Sequence, residues 1–256
     1  MKWSAEDPAW GSDEPEEFPP VEEALAEPNG LLAVGGRLTS RRLLQAYRRG
    51  IFPWYSEGQP VLWWSPDPRM VLYPEDLRIT RSLRKSLVHT SFTVTFDNAF
   101  ARVIRACAVA RDDEAGTWIT EEMVAAYCRL YELGHAHSVE VWCGEELVGG
   151  LYGVAIGRVF FGESMFHRRR DASKIALVRL VEALQGAGMR LIDCQVTSAH
   201  LARLGAIEIP RQRFISELDK WCATPTLCAT GLTTIGTASA PELDPTRGGG
   251  DDCKTE

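Results

Sequence analysis

The stretch HSVEVWCGEELVGGLYGVAIGRVFFGE, residues 137–163, decides how this chain folds. Its apolar runs HSVEVW, LVGGLYGVAI and RVFFGE are separated by the turn CGEE and by a second turn around Gly157. Connections this short leave no room for a helical crossover, so the three runs pair as an antiparallel meander. DASKIALVRLVEALQ follows and reads as an amphipathic helix stopped by Gly186 and Gly188, after which LIDCQV (191–196) supplies another strand. Hairpins, then a helix, then a strand is the order of an α+β fold, a mixed sheet with helices packed on it.

Working outward, Thr39 caps a helix that runs to Arg49 and stops at Gly50, and RITRSLRKSL makes a short basic helix. FTVTF reads as a strand, DNAFARVIRACAVA as a helix capped by Asp97, and TEEMVAAYCRLYEL as a helix between Thr120 and Gly134. SAHLARLG is a short helix and AIEIPR the final strand, while WYSEGQPVLWWSPDPRM is too irregular for either element. The expected organisation is an acidic, flexible segment at 1–27, a small N-terminal domain at 28–68, the α+β domain at 69–222 and a disordered tail at 223–256.

Composition excludes several classes. No apolar run reaches the roughly 18 residues of a membrane span, and the acidic N-terminus has no apolar signal core. Seven scattered cysteines without a C-x-x-C suit reduced thiols in a cytoplasm, so a cytoplasmic protein is expected. The net charge of -7 hides an asymmetry. Residues 1–27 hold nine acids and one Lys and residues 223–256 five acids and two bases, leaving residues 28–222 at +4, mildly favourable to a polyanionic partner. No Walker loop, strand-borne G-x-G-x-x-G or G-x-S-x-G is present, and His135 and His137 lack a third metal ligand.

Four features carry candidate chemistry. Asp193 and Gln195 interrupt an apolar strand two positions apart, so alternation sends both to one face, as a structural network or as a site. Glu163 ends an apolar strand between Phe160–Phe161 and Met165–Phe166. Burial of that carboxylate requires a cation, either an internal partner or a substrate ammonium. Phe52, Trp54, Tyr55, Trp63 and Trp64 concentrate aromatic area in one turn-rich segment, a domain-junction core or a wall for a nucleobase. Arg81, Arg84 and Lys85 share one helical face, and His167–Arg170 form a second basic run; each is either a solvated surface or a phosphate contact.

Longer strings go further. EPNGLLAVGGRLTSRRLLQAYRRGIFPWYSEGQPVLWWSPDPR, GTWIT, LGHAHSVEVW, ELVGGLYGVAIGRVFFGESMF, ASKIAL, LIDCQV and LGAIEIPR resemble, in order, the bacterial leucyl/phenylalanyl-tRNA–protein transferase family, from about Glu27 to about Arg213. The resemblance implies a GNAT-like large domain, no cofactor and no metal. It implies an enzyme that takes Leu or Phe from aminoacyl-tRNA and attaches it to proteins beginning with Lys or Arg, marking them for degradation. By motif, Trp54 and Trp118 fall at the aminoacyl-adenosine site, Leu151, Phe160, Glu163 and Ile192 at the amino-acid pocket, Asp193 and Gln195 at the catalytic pair, and Arg81, Arg84 and Lys85 at the tRNA backbone cluster. Leu151 departs from a family Met, an exchange of small volume change.

Two rival functions remain from the residues alone. An acetyl-CoA N-acyltransferase needs a glycine-rich pyrophosphate loop, and FHRRRDASK holds no glycine. A non-catalytic RNA-binding module accommodates the basic strip and the loop aromatics but leaves Glu163 and the Asp193/Gln195 pair without a purpose.

Overall fold

The computed structural model describes residues 17–110 and 119–224. Its main sheet grows from the meander as expected. β6 (Ala136–Cys143), β7 (Glu146–Ile156) and β8 (Val159–His167) pair antiparallel in sequence order. After β8 the chain crosses through α5 (Ala172–Gly186), so β9 (Leu191–Gln195) returns parallel to β8. β4 (Arg69–Leu72), β5 (Thr93–Phe96) and β10 (Ile207–Ile209) complete a seven-stranded mixed sheet of order β10-β4-β9-β8-β7-β6-β5. The expected α+β class with a mixed sheet is what the chain adopts.

Strand alternation distributes the core over two layers. Phe160, Met70 and Leu72 point toward α5 and α2 (Arg81–His89), whereas Phe161, Val71 and Tyr152 point toward α3 (Phe100–Val109) and α4 (Glu121–Glu132). α1 (Ser40–Arg48) packs on the second layer beside a small antiparallel sheet of β1 (Leu31–Val34), β3 (Leu62–Trp64) and β2 (Phe52–Pro53). Capping follows the sequence at two helices, where Thr39 and Thr120 accept the N–H groups of Arg42 and Met123, and Thr80 adds a third cap by accepting the Leu83 N–H. Among the described residues no helix is long and apolar enough to cross a membrane.

Four local expectations need correction. The stretch WYSEGQPVLWWSPDPRM is not wholly irregular: it holds β3 and the start of β4, its prolines hiding the alternation, and β2 lies just before it, with Pro53 tolerated on an edge strand. α5 is amphipathic only over a narrow stripe: ten of its fifteen residues are buried between the sheet and the elements around it, with Arg179, Glu182 and Gln185 exposed on one side. Asp97 does not cap α3. It adopts φ 55°, accepts the Ser138 N–H and meets His137 Nδ1 at 2.8 Å, which also engages the histidine considered for metal binding. AIEIPR is followed by one more helix, α6 (Ala199–Arg203) lying before it and α7 (Arg211–Cys222) after. Phe214 and Leu218 are the buried anchors of α7, with Ile215, Trp221 and Cys222 partly buried beside them, an i, i+1, i+4, i+7, i+8 spacing that the sequence reading passed over. Among the described residues Cys107, Cys128, Cys194 and Cys222 are free thiols.

Candidate active site

Two β-bulges open the sheet where β8 and β9 part. Parallel pairing ends at Phe161/Asp193. Opposite β7, Gly162 pairs with Gly153 and Ser164 with Tyr152, leaving Glu163 as the extra residue. Opposite β4, Asp193 pairs with Val71 and Gln195 with Met70, leaving Cys194 as the extra residue. Bulges bend a strand and re-aim its side chains. Between the diverging strands lies a cavity of about 270 Å³ whose lining includes Trp54, Leu151, Phe160, Glu163, Ile192, Asp193 and Gln195. All seven were expected at the site from sequence. Trp118, expected beside Trp54, lies outside the described residues.

The walls are apolar. Leu151 from β7, Phe160 from β8, Ile192 from β9, and Leu177 and Leu180 from α5 face the cavity. Gly153 is required here, since a Cβ on it would sit 2.6 Å from the Phe160 ring. Trp54 stands at the mouth, 42% exposed, with its ring centroid 5.8 Å from that of Trp64. The Trp64 Nε1–H donates to the Trp54 carbonyl at 2.7 Å and holds the segment that presents the exposed indole.

Asp193 is less available than alternation suggested. Arg69 Nε and Nη2 donate to its Oδ1 and Oδ2 at 2.8 and 2.6 Å, and both side chains are buried. The guanidinium lies between the rings of Phe52 and Phe214, 4.8 and 4.6 Å from their centroids, and donates to the Gly50 carbonyl. Asp193 Oδ1 also accepts the Gln195 N–H at 2.9 Å, closing a tight loop in which Gln195 takes φ 62°. The two residues are therefore joined by a bulge and a left-handed turn, not by simple alternation. Asp193 holds the Gln195 backbone.

Glu163 is the centre of the polar network. Tyr47 Oη and Gln195 Nε2 each donate to its Oε1 at 2.7 Å, and Tyr127 Oη donates to its Oε2 at 2.9 Å. The two phenol oxygens also touch; with two hydroxyl protons for three contacts, they hydrogen-bond to each other only when one phenol turns from Glu163 or the carboxyl itself carries a proton. Burial pushes the Glu163 carboxyl up to about 7, against the pull of these donors. Burial, with Glu163 close by, likewise holds both phenols well above their ordinary range. All three donors are neutral, so the carboxylate is desolvated and hydrogen-bonded yet not matched by a positive charge among them. With Nε2 of Gln195 committed to Glu163, its Oε1 is left as the acceptor.

Arg81, Arg84 and Lys85 are exposed on α2 and do not line the cavity. Ser86 of the same helix donates to Asp171 Oδ2 at 2.9 Å, and Lys174 Nζ reaches Asp171 Oδ1 at 2.6 Å, fixing α2 to the start of α5. Sequence reasoning passed over Arg69, Tyr47 and Tyr127. Arg69 ends the aromatic segment inside the apolar run RMVLY, a usable signal; the two tyrosines look like ordinary members of apolar helix faces.

A family model described as leucyl/phenylalanyl-tRNA protein transferase matches residues 71–219, and one for that family's N-terminal domain matches residues 36–67. A leucyl/phenylalanyl-tRNA–protein transferase from Azoarcus sp. (strain BH72) is 61% identical over 212 residues, 83% of this chain and 90% of its own. One from Nitrosomonas europaea is 59% identical over 214 residues, 84% of this chain and 90% of its own. Among solved structures, a GCN5-related N-acetyltransferase from Kribbella flavida shows a slight likeness: TM-score 0.34, 14% identity, covering 63% of this chain and 58% of that one.

Proposed function

The chain belongs to the leucyl/phenylalanyl-tRNA–protein transferase family and is a transferase, and from that premise we propose which groups it moves and how. It carries Leu or Phe, and Met more weakly, from aminoacyl-tRNA to the α-amine of cytoplasmic proteins that begin with Lys or Arg, creating an N-terminal degradation signal. The observation that supports this reading most is the buried Glu163 carboxylate, held by neutral donors at the end of an apolar cavity. A buried anion of this kind suits the ammonium group of an aminoacyl ester, while the apolar walls take its side chain. Selection by such walls is incomplete, since one methylene changes binding by only ~1–3 kcal/mol. Branching at Cβ places Val and Ile at a disadvantage near the mouth.

The exposed face of Trp54 suits the terminal adenine, where stacking contributes ~1–3 kcal/mol. The acceptor amine attacks the ester carbonyl, a C–N bond forms, and the ribose oxygen leaves with a proton while the amine loses one. Gln195 Oε1 orients that amine by accepting from it; a carboxamide is too weak a base to do more. Asp193, saturated by Arg69 and the Gln195 N–H, positions Gln195 and does not receive the proton.

Labelled Leu-, Phe- and Met-tRNA supplied with peptides beginning in Lys, Arg or Ala test the reading. Transfer to the Lys and Arg peptides is expected; tRNA binding without peptide labelling would instead favour a non-catalytic RNA-binding module. In the same assay Gln195→Ala is expected to slow single-turnover transfer by about 10²-fold, the scale of a misplaced reactant. A slowing within twofold would make Gln195 merely structural.

Charged tRNA bound by the α2 strip implies a salt signature. Replacing Arg81, Arg84 and Lys85 by Ala should weaken tRNA binding and flatten the log–log salt dependence by about one unit per lost contact. An unchanged slope would remove α2 from the tRNA interface.

A further inference from the structure

Three carboxylates lie close to the strands that frame the cavity, and two are already committed. Asp193 is neutralised by Arg69, and Glu163 is enclosed by Tyr47, Tyr127 and Gln195. The third is Glu208 on β10, which is exposed and belongs to none of the ion pairs among the described residues. Its place in the sheet is specific. Glu208 pairs with Met70 of β4, and Met70 pairs with Gln195 of β9, so the three form one row across the sheet. Two strand spacings put the backbone of Glu208 about 10 Å from that of Gln195.

The row continues into the mouth of the cavity. Thr197 Oγ1 donates to Glu208 Oε1, which turns the carboxylate toward the segment that follows Gln195. Val196 and Ser198, on either side of Thr197, line the cavity, and the Ser198 N–H meets Met70 Sδ at 3.1 Å. A long cationic side chain on a residue whose α-amine meets Gln195 Oε1 spans this distance, because its apolar stem lies along the strand surface while its charged head stays in water.

We propose that Glu208 is the acceptor subsite: it binds the cationic first side chain of the protein substrate and sets the enzyme's preference for Lys and Arg. This rests on the transfer reaction proposed above and supplies its missing specificity group. Thr197 is a positioning residue for that carboxylate, and nothing in the chemical step passes through Glu208.

The test uses the full chain, saturating Leu-tRNA, and peptides that begin with Arg or with citrulline, its neutral isostere. The wild-type protein is expected to favour the Arg peptide through KM. Glu208→Gln should raise KM for the Arg peptide about fivefold, the upper range for a solvent-exposed ion pair, and bring it to the citrulline value. The kcat and the KM for Leu-tRNA should not move, and Glu208→Asp should keep part of the preference. An Arg-to-citrulline ratio unchanged in Glu208→Gln, in protein that still labels peptides at the wild-type kcat, overturns the subsite and leaves the transfer reaction standing. Should Glu208→Gln misfold, Glu208→Asp and Thr197→Val decide the matter: a full wild-type Arg-to-citrulline preference in both places selection elsewhere. Failure of the wild-type protein to label either peptide removes the transfer reaction itself, and the subsite with it.

Discussion

Arg69→Ala is expected to lower stability by about 3–5 kcal/mol, the loss seen when one partner of a buried ion pair is removed. The substitution strands Asp193, which is fully buried and accepts two hydrogen bonds from the guanidinium. It also empties the space between Phe52 and Phe214 and releases the Gly50 carbonyl, so it loosens the junction between the small sheet and β9. Against a typical total of 5–15 kcal/mol this is a large fraction, readable as a drop in the urea midpoint. A loss under about 1 kcal/mol would show that the pair is not what ties these elements together. Arg69→Met combined with Asp193→Leu should regain much of the stability, because apolar groups of similar volume often replace a buried pair at little cost. It should not regain transfer, since the Gln195 N–H loses the carboxylate that holds its left-handed turn. That divergence separates the stabilising role of Asp193 from its positioning role. An activity loss in Asp193→Ala alone does neither, because it leaves Arg69 buried without its counter-charge.

The parts of this structure that were legible in the sequence are those set by local rules. Turns at CGEE and Gly157 left the meander no other pairing, and threonine caps at Thr39 and Thr120 marked two helix starts before any packing was known. The site residues on β8 and β9 were legible as polar interruptions of apolar strands. What escaped depended on partners distant along the chain. Tyr47 and Tyr127 are far apart in sequence and from Glu163, and only the fold brings their hydroxyls to one carboxylate. Arg69 and Asp193 are likewise 124 positions apart. Period-two alternation, applied to LIDCQV, put Asp193 and Gln195 at the same site for the wrong reason. The bulge at Cys194 cancels the alternation, and the Asp193–Gln195 N–H contact restores the proximity. Helix α5 narrows the expected pattern without breaking it, because Arg179, Glu182 and Gln185 keep one exposed stripe while ten of its fifteen residues are buried.

Glu163→Gln is expected to separate stability from activity along the pH scale. Burial raises the Glu163 carboxyl from 4.5 to about 7, so between those values the folded state holds a proton that the unfolded state has released. Stability therefore falls as pH rises from about 4.5 to about 7 and levels off above, with an ionisation penalty of about 3 kcal/mol for a displacement of this size. The glutamine variant has no such proton and should lack this decline, gaining on the wild type between pH 5 and pH 8 in parallel urea titrations. Part of the gain will be offset, because its amide nitrogen competes with the donors Tyr47, Tyr127 and Gln195 for one side of the network. Transfer should move the other way. If the ionised carboxylate holds the ammonium of the aminoacyl ester, removing its charge costs a charged hydrogen bond of ~1.5–3 kcal/mol, or about 10- to 100-fold in transfer from Leu-tRNA at pH 8. The loss should shrink toward pH 6, where the wild-type carboxyl is itself protonated. A variant that gains stability while transferring Leu at the wild-type rate across this range would leave Glu163 as a buried structural acid. A variant that loses both would mean that the charge stabilises the fold, against the direction that its burial dictates.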